Sequence, residues 1–468
     1  MEFPPSVVVV DSDVGMFAVD LEMVEKAKAH VRKGRQVRDP FSQVVEDHIG
    51  GRYLYATRYW TKGLGQLIKL FLEDFLRGEW TVEDEFELVK GIRTSPVHGQ
   101  IKIPGLGSQR FLQQGLRLLV HKESGERIVL RHAIDDDGDE RLSIAHAKSR
   151  PTAPSEENEG CDIDDFGFKF LDALEHEFFT RGPLKGRFFD IDYHFIEKDS
   201  SVGNLIAWNK DVKTQLERNV INFHSAMPKL EALGLNTSRG IILAGPPGTG
   251  KTMIGKWLAA ETGMTSILVS AEMIRSRGNI RRMYERARML SPTLIIVEDI
   301  DTTGGLDRRV ADHPLLGEFL QCMDGMVKNS GVITVATTNH ARSIDPAIAD
   351  RPGRFDRVIE VPLPNLSQRK CILRRKVAAI PQHPSVTKDV LRSIARRSDG
   401  LSGAWVIEII QFAQVLALSR DNDMIMADDL ETSLDDVLAR RGLAYRIDSM
   451  PTENPWKDDE SGLGALWG

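Results

Sequence analysis

The sequence predicts an α/β fold, in which a parallel sheet with helices on both faces is preceded by a mixed α/β region and followed by a small helical domain. From about residue 203, short apolar segments alternate with amphipathic helical patterns, which is typical of parallel strands joined by helices. A glycine-rich segment separates the first of these strands from a helix. After about residue 365 the apolar strands end and helical patterns continue alone.

Length and composition favour a soluble protein of several domains. The chain has 468 residues, a length that predicts about three domains. It is 41% hydrophobic and 28% charged, as ordinary globular proteins are. The net charge is −7, so no broad basic excess is present to neutralise a nucleic-acid backbone, and nucleic acid is not a favoured partner.

The sequence also predicts that the protein is cytoplasmic and does not contact a membrane. The N-terminus lacks the basic region of an export signal, and no apolar run approaches the length of about 18 residues that a membrane helix needs. The three cysteines are far apart in the chain, which favours reduced thiols over a disulfide framework.

Changes in composition predict the domain boundaries. The expected segments are 1–133 (N-terminal mixed α/β domain), 134–165 (acidic flexible linker), 166–202 (aromatic-rich connecting segment), 203–364 (large domain with the parallel sheet), 365–446 (helical lid domain) and 447–468 (flexible tail). The linker is predicted because residues 134–165 hold eleven acidic residues against three basic ones, together with two prolines. The aromatic-rich segment is expected to form a short helix and then strands that pack on the next domain.

Helical and strand patterns both occur in the N-terminal domain. Apolar residues between Leu67 and Leu76 fall on one helical face. Apolar residues on either side of Ser124-Gly125 predict a β-hairpin. Basic and aromatic residues interleave between Arg52 and Lys62, a pattern that would suit stacking on single-stranded nucleic acid. The four-residue spacing of Tyr55 and Tyr59 favours a helix packing face instead.

Four apolar runs in the large domain predict buried parallel strands. They are Ile241–Ala244, Ser266–Val269, Leu294–Val297 and Val332–Ala336.

A phosphate-binding loop follows the first of these strands and opens a helix that includes Met253. It matches the pattern G-x-x-x-x-G-K-[ST] and reads Gly245-Pro246-Pro247-Gly248-Thr249-Gly250-Lys251-Thr252. Backbone N–H groups of such a loop surround phosphate oxygens, and the helix N-terminus adds its partial positive charge. We expect Lys251 to reach the β- and γ-phosphates and Thr252 to offer its hydroxyl to Mg²⁺. The loop therefore predicts ATP and Mg²⁺ as cofactors.

Two acidic residues end the third predicted strand. Glu298 and Asp299 follow the phosphate loop by about 45 residues, and acids at this edge of a parallel sheet face the phosphates. One of them is expected to hold Mg²⁺ through its water shell, and the next to polarise the attacking water. We assign the metal side to Glu298 and the catalytic side to Asp299.

These motifs resemble the AAA family of ATPases over roughly residues 203–445, about half of the chain. The loop and the acidic pair resemble the Walker A and Walker B motifs. Thr337-Thr338-Asn339 is similar to the sensor-one segment, which implies that Asn339 contacts the γ-phosphate or the attacking water. Gly400–Ala404 resembles the start of the lid helix, which implies that Gly403 and Ala404 lie near the adenosine.

The resemblance also implies a site that is shared between subunits. Residues 345–356 are similar to the second region of homology, whose two arginines enter the neighbouring subunit's site in AAA rings. The matching residues here are Arg351 and Arg354. The resemblance therefore implies arginine fingers and a homo-oligomeric ring, expected to be a hexamer.

The sequence departs from the common AAA pattern at two places. Most members read Asp-Glu where this chain reads Glu298-Asp299, an order that resembles the mitochondrial Rieske-protein assembly chaperones and their plant relatives. Unfoldases of the family carry an aromatic residue in the pore loop, whereas residues 270–278 contain none. This segment therefore does not predict that the pore loop binds an extended polypeptide through an aromatic side chain. The chain also lacks the H-E-x-x-H pattern of the fused AAA proteases.

The sequence thus predicts a ring ATPase that converts ATP and water to ADP and phosphate and remodels a protein or protein complex. The N-terminal region would bind the protein substrate or an adaptor. Two alternatives stay open: a motor or initiator that nucleic acid stimulates, and a regulatory scaffold with slow turnover, which the Glu298-Asp299 order would allow.

Overall fold

The computed structural model describes residues 7–12, 15–20, 39–148, 166–270, 279–300, 322–323, 329–339 and 355–448. The chain divides into two compact units, Met1–Phe178 and Phe179–Gly468. Within the described ranges, no helical segment combines the length and the hydropathy that a membrane span requires.

The first unit is built on an antiparallel sheet with helices. The helices are α1 (Pro40–Ile49), α2 (Lys62–Arg77) and α3 (Phe166–Arg181), of which the last three residues belong to the second unit. The strands are β1 (Val7–Ser12), β2 (Gly15–Asp20), β3 (Tyr53–Trp60), β4 (Trp80–Val89), β5 (Ile92–Thr94), β6 (Val97–Ile103), β7 (Gly107–His121), β8 (Arg127–Ile134) and β9 (Glu140–Ala147). Among the described residues the main sheet runs β3-β9-β8-β7-β4-β5 with β6 paired to β7, and β1 pairs with β2 separately.

Two predicted elements of this unit are confirmed. The apolar stripe lies on α2, where Leu67, Ile68 and Leu72 are buried on one face, as a helical period requires. The hairpin around Gly125 joins β7 to β8, with Leu118 opposite Val129.

Tyr55 and Tyr59 lie on a different kind of element from the one predicted. Tyr55 and Tyr59 lie on strand β3 and not on a helix, so the prediction of a helix packing face is wrong. A spacing of four residues is also even, so it places both side chains on one face of a strand. That face is the exposed one, while Ala56 and Trp60 are buried on the other face.

The prediction of a flexible linker over residues 134–165 is also wrong for its first part. Residues 140–147 form β9, which pairs with both β3 and β8. The acidic residues before Glu140 lie in a turn, where Asp135 Oδ1 accepts hydrogen bonds from the backbone N–H groups of Asp137 and Asp139. The charge count combined this turn with the apolar strand that follows it, so the strand was not predicted. Glu140 itself is buried against Lys69. Residues 149–165 of the expected linker lie outside the described residues.

A mostly parallel sheet forms the centre of the second unit. Its strands are β10 (Phe188–Asp190), β11 (Phe195–Ile196), β12 (Arg239–Ala244), β13 (Thr265–Ser270), β14 (Thr293–Glu298), β15 (Val332–Thr338) and β16 (Phe355–Glu360). Within the part of the chain that the structure describes, the order is β11-β10-β13-β14-β15-β12-β16, and only the pair β10–β11 is antiparallel. The four strands predicted from apolar runs are confirmed as β12 to β15.

Helices cover this sheet and then form a separate cluster. The first group comprises α4 (Val202–Leu205), α5 (Lys210–Leu216), a π-helical turn (Glu217–Ile221), α6 (Asn222–Ala232), α7 (Lys251–Thr262) and α8 (Asn279–Met289). The second group, which we call the lid, comprises α9 (Leu366–Val377), α10 (Lys388–Arg397), α11 (Gly403–Leu418) and α12 (Ala427–Asp448). The confirmed fold class is α/β with a parallel sheet and a following helical region.

The sheet and the lid have separate apolar cores. Strand residues such as Ile241 and Leu294 are buried together with Trp257 and Leu258 of α7. The lid has a second core that includes Leu373, Val406 and Leu434. The lid is therefore a compact helical cluster distinct from the core of the sheet.

Candidate active site

The phosphate loop connects the end of β12 to the first residue of α7. Gly248 has a φ of +75°, and a Cβ at this position would lie 2.6 Å from Ser402 Oγ of the lid. A Cβ on Gly245 would lie 2.1 Å from the carbonyl oxygen of Val361. Side chains at these two positions would therefore displace backbone or lid atoms, and the glycines allow the loop its close turn.

Lys251 is a buried cation at the start of a helix. Its side chain is 6% exposed, and Nζ donates to the carbonyl oxygens of Gly245 at 2.8 Å and Pro246 at 3.0 Å. Nζ also donates to Asn339 Oδ1 at 2.8 Å. The first turn of α7 contains no acidic residue, and a helix N-terminus carries partial positive charge. This arrangement favours an anion in front of the loop, as the sequence predicts for the phosphates.

Asn339 and Asp299 lie at the ends of neighbouring strands. Asn339 Nδ2 donates to Asp299 Oδ1 at 3.1 Å. The backbone N–H of Asp299 donates to Thr337 Oγ1 at 2.9 Å. Asp299 has a φ of +48°, in the left-handed region that aspartate tolerates better than most residues. These contacts fix the carboxylate of Asp299 beside the amide that also holds Lys251.

Glu298 supplies a carboxylate oxygen that the described residues do not satisfy. Its Oε1 is buried and has no hydrogen-bond partner among them. A buried carboxylate oxygen without a donor is costly. A cation with its water shell would satisfy it, and Thr252 on the exposed side of α7 offers a hydroxyl to the same kind of ion. The donor set therefore fits Mg²⁺, with Glu298 and Thr252 as the residues that would hold it.

The lid contacts the phosphate loop directly. The backbone N–H of Ala404 donates to the carbonyl oxygen of Gly248 at 3.1 Å. Gly403 begins helix α11, and a Cβ at this position would lie 3.3 Å from the same carbonyl oxygen. The two lid residues expected near the adenosine thus lie at the loop.

The remaining loop residues have simpler surroundings. Thr249 Oγ1 donates to the carbonyl oxygen of Pro246 at 2.9 Å, and this bond closes the turn. Pro247 and Gly250 lie within the same turn, and Met253 is a partly buried residue in the first turn of α7.

Some expected site residues fall outside the described part of the chain. Arg351 and Arg354 are among them, as are residues 271–278 of the pore-loop segment. Their placement stays a prediction.

Two residues position the site although the motifs that contain them predicted no role for either. Thr337 holds the backbone of Asp299 through its hydroxyl, and Ser402 lies against Gly248. Thr337 lies on β15 two residues before Asn339, which follows the strand directly, so the alternation of the strand predicts that both side chains point to one face. That spacing is the signal that would have found it.

These positions define what the residues can do. Lys251 and the loop backbone provide donors for phosphate oxygens, and Glu298 and Thr252 provide oxygens for Mg²⁺. Bound Mg²⁺ would neutralise charge on the phosphates. Asn339 orients the carboxylate of Asp299 from one side, while Thr337 fixes its backbone. The carboxylate of Asp299 is therefore held in place at the end of β14.

Comparison with known proteins identifies this region. Residues 241–363 match the family model "ATPase family associated with various cellular activities (AAA)". The match contains the phosphate loop, the acidic pair and Asn339. Residues 241–363 are thus similar to the ATPase domain of the AAA family.

Curated relatives match about half of the chain. An ATP-dependent zinc metalloprotease FtsH from Metamycoplasma arthritidis is 34% identical over 249 residues, which are 50% of this chain and 32% of the relative. FtsH 3 from Sphaerobacter thermophilus is 34% identical over 257 residues, 52% of this chain and 51% of the relative. FtsH from Caulobacter vibrioides is 32% identical over 257 residues, which are 51% of this chain and 40% of the relative. The chain thus spans between about a third and a half of the length of these relatives.

Proposed function

We propose that this chain, with its AAA domain, is a ring ATPase that uses ATP turnover to remodel a protein or protein complex. The observation that carries the proposal is the continuous set of hydrogen bonds from Lys251 through Asn339 to Asp299. It joins the phosphate loop to the acidic pair, so the group that binds phosphate and the group that accepts a proton are oriented by one amide.

The order of the two acids defines their proposed roles. Glu298 is the last residue of β14, and its orphaned Oε1 suits the water shell of Mg²⁺. Asp299 follows the strand and is held by Thr337 and Asn339. We assign the general-base role to Asp299. Its side chain is shorter than the glutamate that most AAA members carry here, and general-base catalysis requires the carboxylate to lie within hydrogen-bond distance of the water. We propose that the fixed backbone of Asp299 compensates for the shorter side chain.

The Glu298-Asp299 order is also the basis for a finer family proposal. It resembles the order in the mitochondrial Rieske-assembly chaperones and their plant relatives. We propose, on this feature alone, that the chain belongs with that group within the AAA ATPases.

Assembly is proposed from the family resemblance. Arg351 and Arg354 would act on the neighbouring subunit's nucleotide, which requires a ring, expected to be a hexamer. The first unit would then choose the protein substrate or an adaptor, because the phosphate loop, Asn339 and the acidic pair all belong to the second unit.

We propose that the substrate is a protein and not a nucleic acid. The chain has a net charge of −7, which disfavours a phosphate backbone as partner. The relatives are named zinc metalloproteases, but this sequence contains no H-E-x-x-H pattern. Remodelling of a protein or protein complex is the proposed outcome of ATP turnover.

The test measures ATP turnover by the full chain alone, with an unfolded protein, and with single- or double-stranded DNA. Lys251→Ala is the control for contaminating ATPases. Stimulation by the unfolded protein and not by DNA supports remodelling. Stimulation by DNA alone would replace it with a nucleic-acid motor, and slow turnover that neither addition changes would replace it with a regulatory scaffold.

A further inference from the structure

The side chain of Gln368 is hydrogen-bonded at both ends of its amide. Oε1 accepts from the backbone N–H of Asn365 at 2.9 Å, while Asn365 Oδ1 accepts from the backbone N–H of Gln368 at 3.0 Å. This reciprocal pair is a capping box that begins helix α9. Gln368 Nε2 donates to the carbonyl oxygen of Ala207 at 2.7 Å. One amide therefore both starts the lid's first helix and joins it to residue 207.

A second donor on α9 contacts the preceding carbonyl. Arg375 Nη1 donates to the carbonyl oxygen of Ile206 at 3.1 Å. Gln368 and Arg375 are seven residues apart, so they lie on the same face of the helix. The neighbouring Arg369 is buried, and it donates to the carbonyl oxygens of Pro364 and Ala395. Helix α9 is thus anchored in the lid by Arg369 and to residues 206–207 by its other face.

Residues 202–208, which we call the bridge segment, pack on the helix that follows the phosphate loop. Trp208 Nε1 donates to the carbonyl oxygen of Gly203 at 3.0 Å, and the rings of Trp208 and Trp257 are 4.5 Å apart. A Cβ on Gly203 would lie 2.8 Å from Cδ1 of Trp257. Trp257 belongs to α7, whose first residue is Lys251.

The lid therefore reaches the nucleotide region at two described places. Ala404 of α11 is bonded to Gly248 of the phosphate loop. Gln368 of α9 is bonded to the bridge segment, which lies on α7. Releasing the Gln368 contact would therefore remove one of the hydrogen bonds that hold the lid to this region.

We propose that Gln368 is a positioning residue that holds the lid on the bridge segment through Ala207 and thereby slows the release of nucleotide. The inference rests on the proposed nucleotide site and adds a specific residue that controls retention. It assigns no contact between Gln368 and the nucleotide.

The two ends of the amide can be separated by one substitution. Gln368→Glu keeps an acceptor for the N–H of Asn365, and glutamate is favoured at this position of a capping box. It removes the donor to Ala207 and sets a carboxylate against a carbonyl oxygen. Gln382→Glu is the matched control, because Gln382 is an exposed lid residue and receives the same change of charge.

Two measurements test the proposal on the full chain. A fluorescent ADP analogue reports the dissociation rate, which should rise about 2- to 10-fold in Gln368→Glu, the range for one lost hydrogen bond. Hydrogen exchange in the nucleotide-free protein should show faster exchange over residues 202–208, a change that needs no bound ligand. The melting midpoint should stay at the parent value, and Gln382→Glu should change none of these quantities.

The possible results separate this inference from the proposed function. If the parent chain fails to bind ADP, the nucleotide site itself is wrong. If the parent binds ADP and Gln368→Glu releases it at the parent rate, the positioning role is overturned and the ATPase stands. If Gln368→Glu melts early, Arg375→Met decides, because Arg375 has no part in the cap: faster release supports the role, and the parent rate overturns it.

Discussion

Lys251 and Asn339 are joined by a hydrogen bond of 2.8 Å between Nζ and Oδ1, although 88 positions separate them in the sequence. The same amide donates to Asp299 at 3.1 Å. The Lys251 ammonium group and the Asp299 carboxylate are therefore oriented by one side chain. A change that loosens Asn339 would disturb both groups, so the three residues form one hydrogen-bonded network.

Lys251 is expected to dominate the affinity for ATP. Lys251→Ala removes charge-assisted contacts to phosphate oxygens, so the dissociation constant for ATP should rise about 10- to 100-fold. Isothermal titration calorimetry with Mg²⁺ present measures it. Lys256→Ala, an exposed lysine on the same helix, is the control and should bind ATP as the parent does. Equal affinity in Lys251→Ala and parent would contradict the assignment of the loop.

Asp299 is expected to act in turnover and not in binding. Asp299→Asn should preserve binding of ATP with Mg²⁺ and lower turnover by about 10²-fold or more, the range for lost general-base action. Thr337→Val should also lower turnover, by a smaller factor. It removes the hydroxyl that holds the backbone of Asp299 and keeps a β-branched side chain. Normal turnover in Asp299→Asn would move the base to another group.

The centre of the ATPase sheet could be predicted from sequence, but its edges could not. Strands β12 to β15 are continuous apolar runs because neighbours cover both faces. Edge strand β16 is half exposed and reads Phe-Asp-Arg-Val-Ile-Glu, so it shows no such run. Strand β9 was concealed for a related reason, since its first residue, Glu140, is a buried acid whose partner, Lys69, lies 71 positions away.

The site was predictable where one motif holds its own geometry. The phosphate loop is such a motif, because the pattern that predicts its turn lies within eight consecutive residues. The contact between Gln368 and Ala207 spans 161 positions, and neither residue is unusual in its local sequence. Only the fold brings them together, so no spacing rule would have found them.

Breaking the ion pair between Glu140 and Lys69 is expected to lower the free energy of unfolding strongly. Both side chains are fully buried, and burial lowers the pKa of Lys69 while Glu140 opposes that shift. Glu140→Gln leaves an uncompensated buried cation, so the free energy of unfolding should fall by about 3–5 kcal/mol. Urea unfolding of the full chain measures it, with the exposed Glu123→Gln as control.

The paired substitution tests the reason for that loss. Lys69→Met with Glu140→Leu removes both charges and should recover most of the stability, because apolar residues of similar volume often replace a buried ion pair without cost. If the double variant is as unstable as Glu140→Gln alone, packing and not the lost charge explains the effect.

Lys198 is expected to make stability rise with pH. Its Nζ donates to the carbonyl oxygens of Gly186 and Met264, and burial lowers its pKa from 10.5 to about 8. Between these two values the unfolded chain binds the proton and the folded chain does not, so the free energy of unfolding increases with pH. Lys198→Met should remove this increase, while the exposed Lys256→Met should keep it. Parallel pH profiles for parent and Lys198→Met would contradict the assignment.

The proposed sharing of the active site between subunits has the most specific test. A guanidinium from Arg351 or Arg354 that enters the neighbour's site would stabilise charge on the transferred phosphoryl group, an effect worth about 10³-fold or more in related P-loop enzymes. Specific activity should therefore fall on dilution, as rings dissociate. Arg354→Ala and Lys251→Ala should each be inactive alone.

Mixing those two inactive variants should restore part of the activity, because one subunit then supplies an intact loop and its neighbour an intact finger. Mixing Arg354→Ala with Arg351→Ala is the matched control and should restore less, since every site in that ring faces a damaged finger segment. Analytical ultracentrifugation gives the assembly state at each concentration. Activity per subunit that stays constant down to a proven monomer would contradict the shared site, because a monomer has no neighbour to supply the arginine.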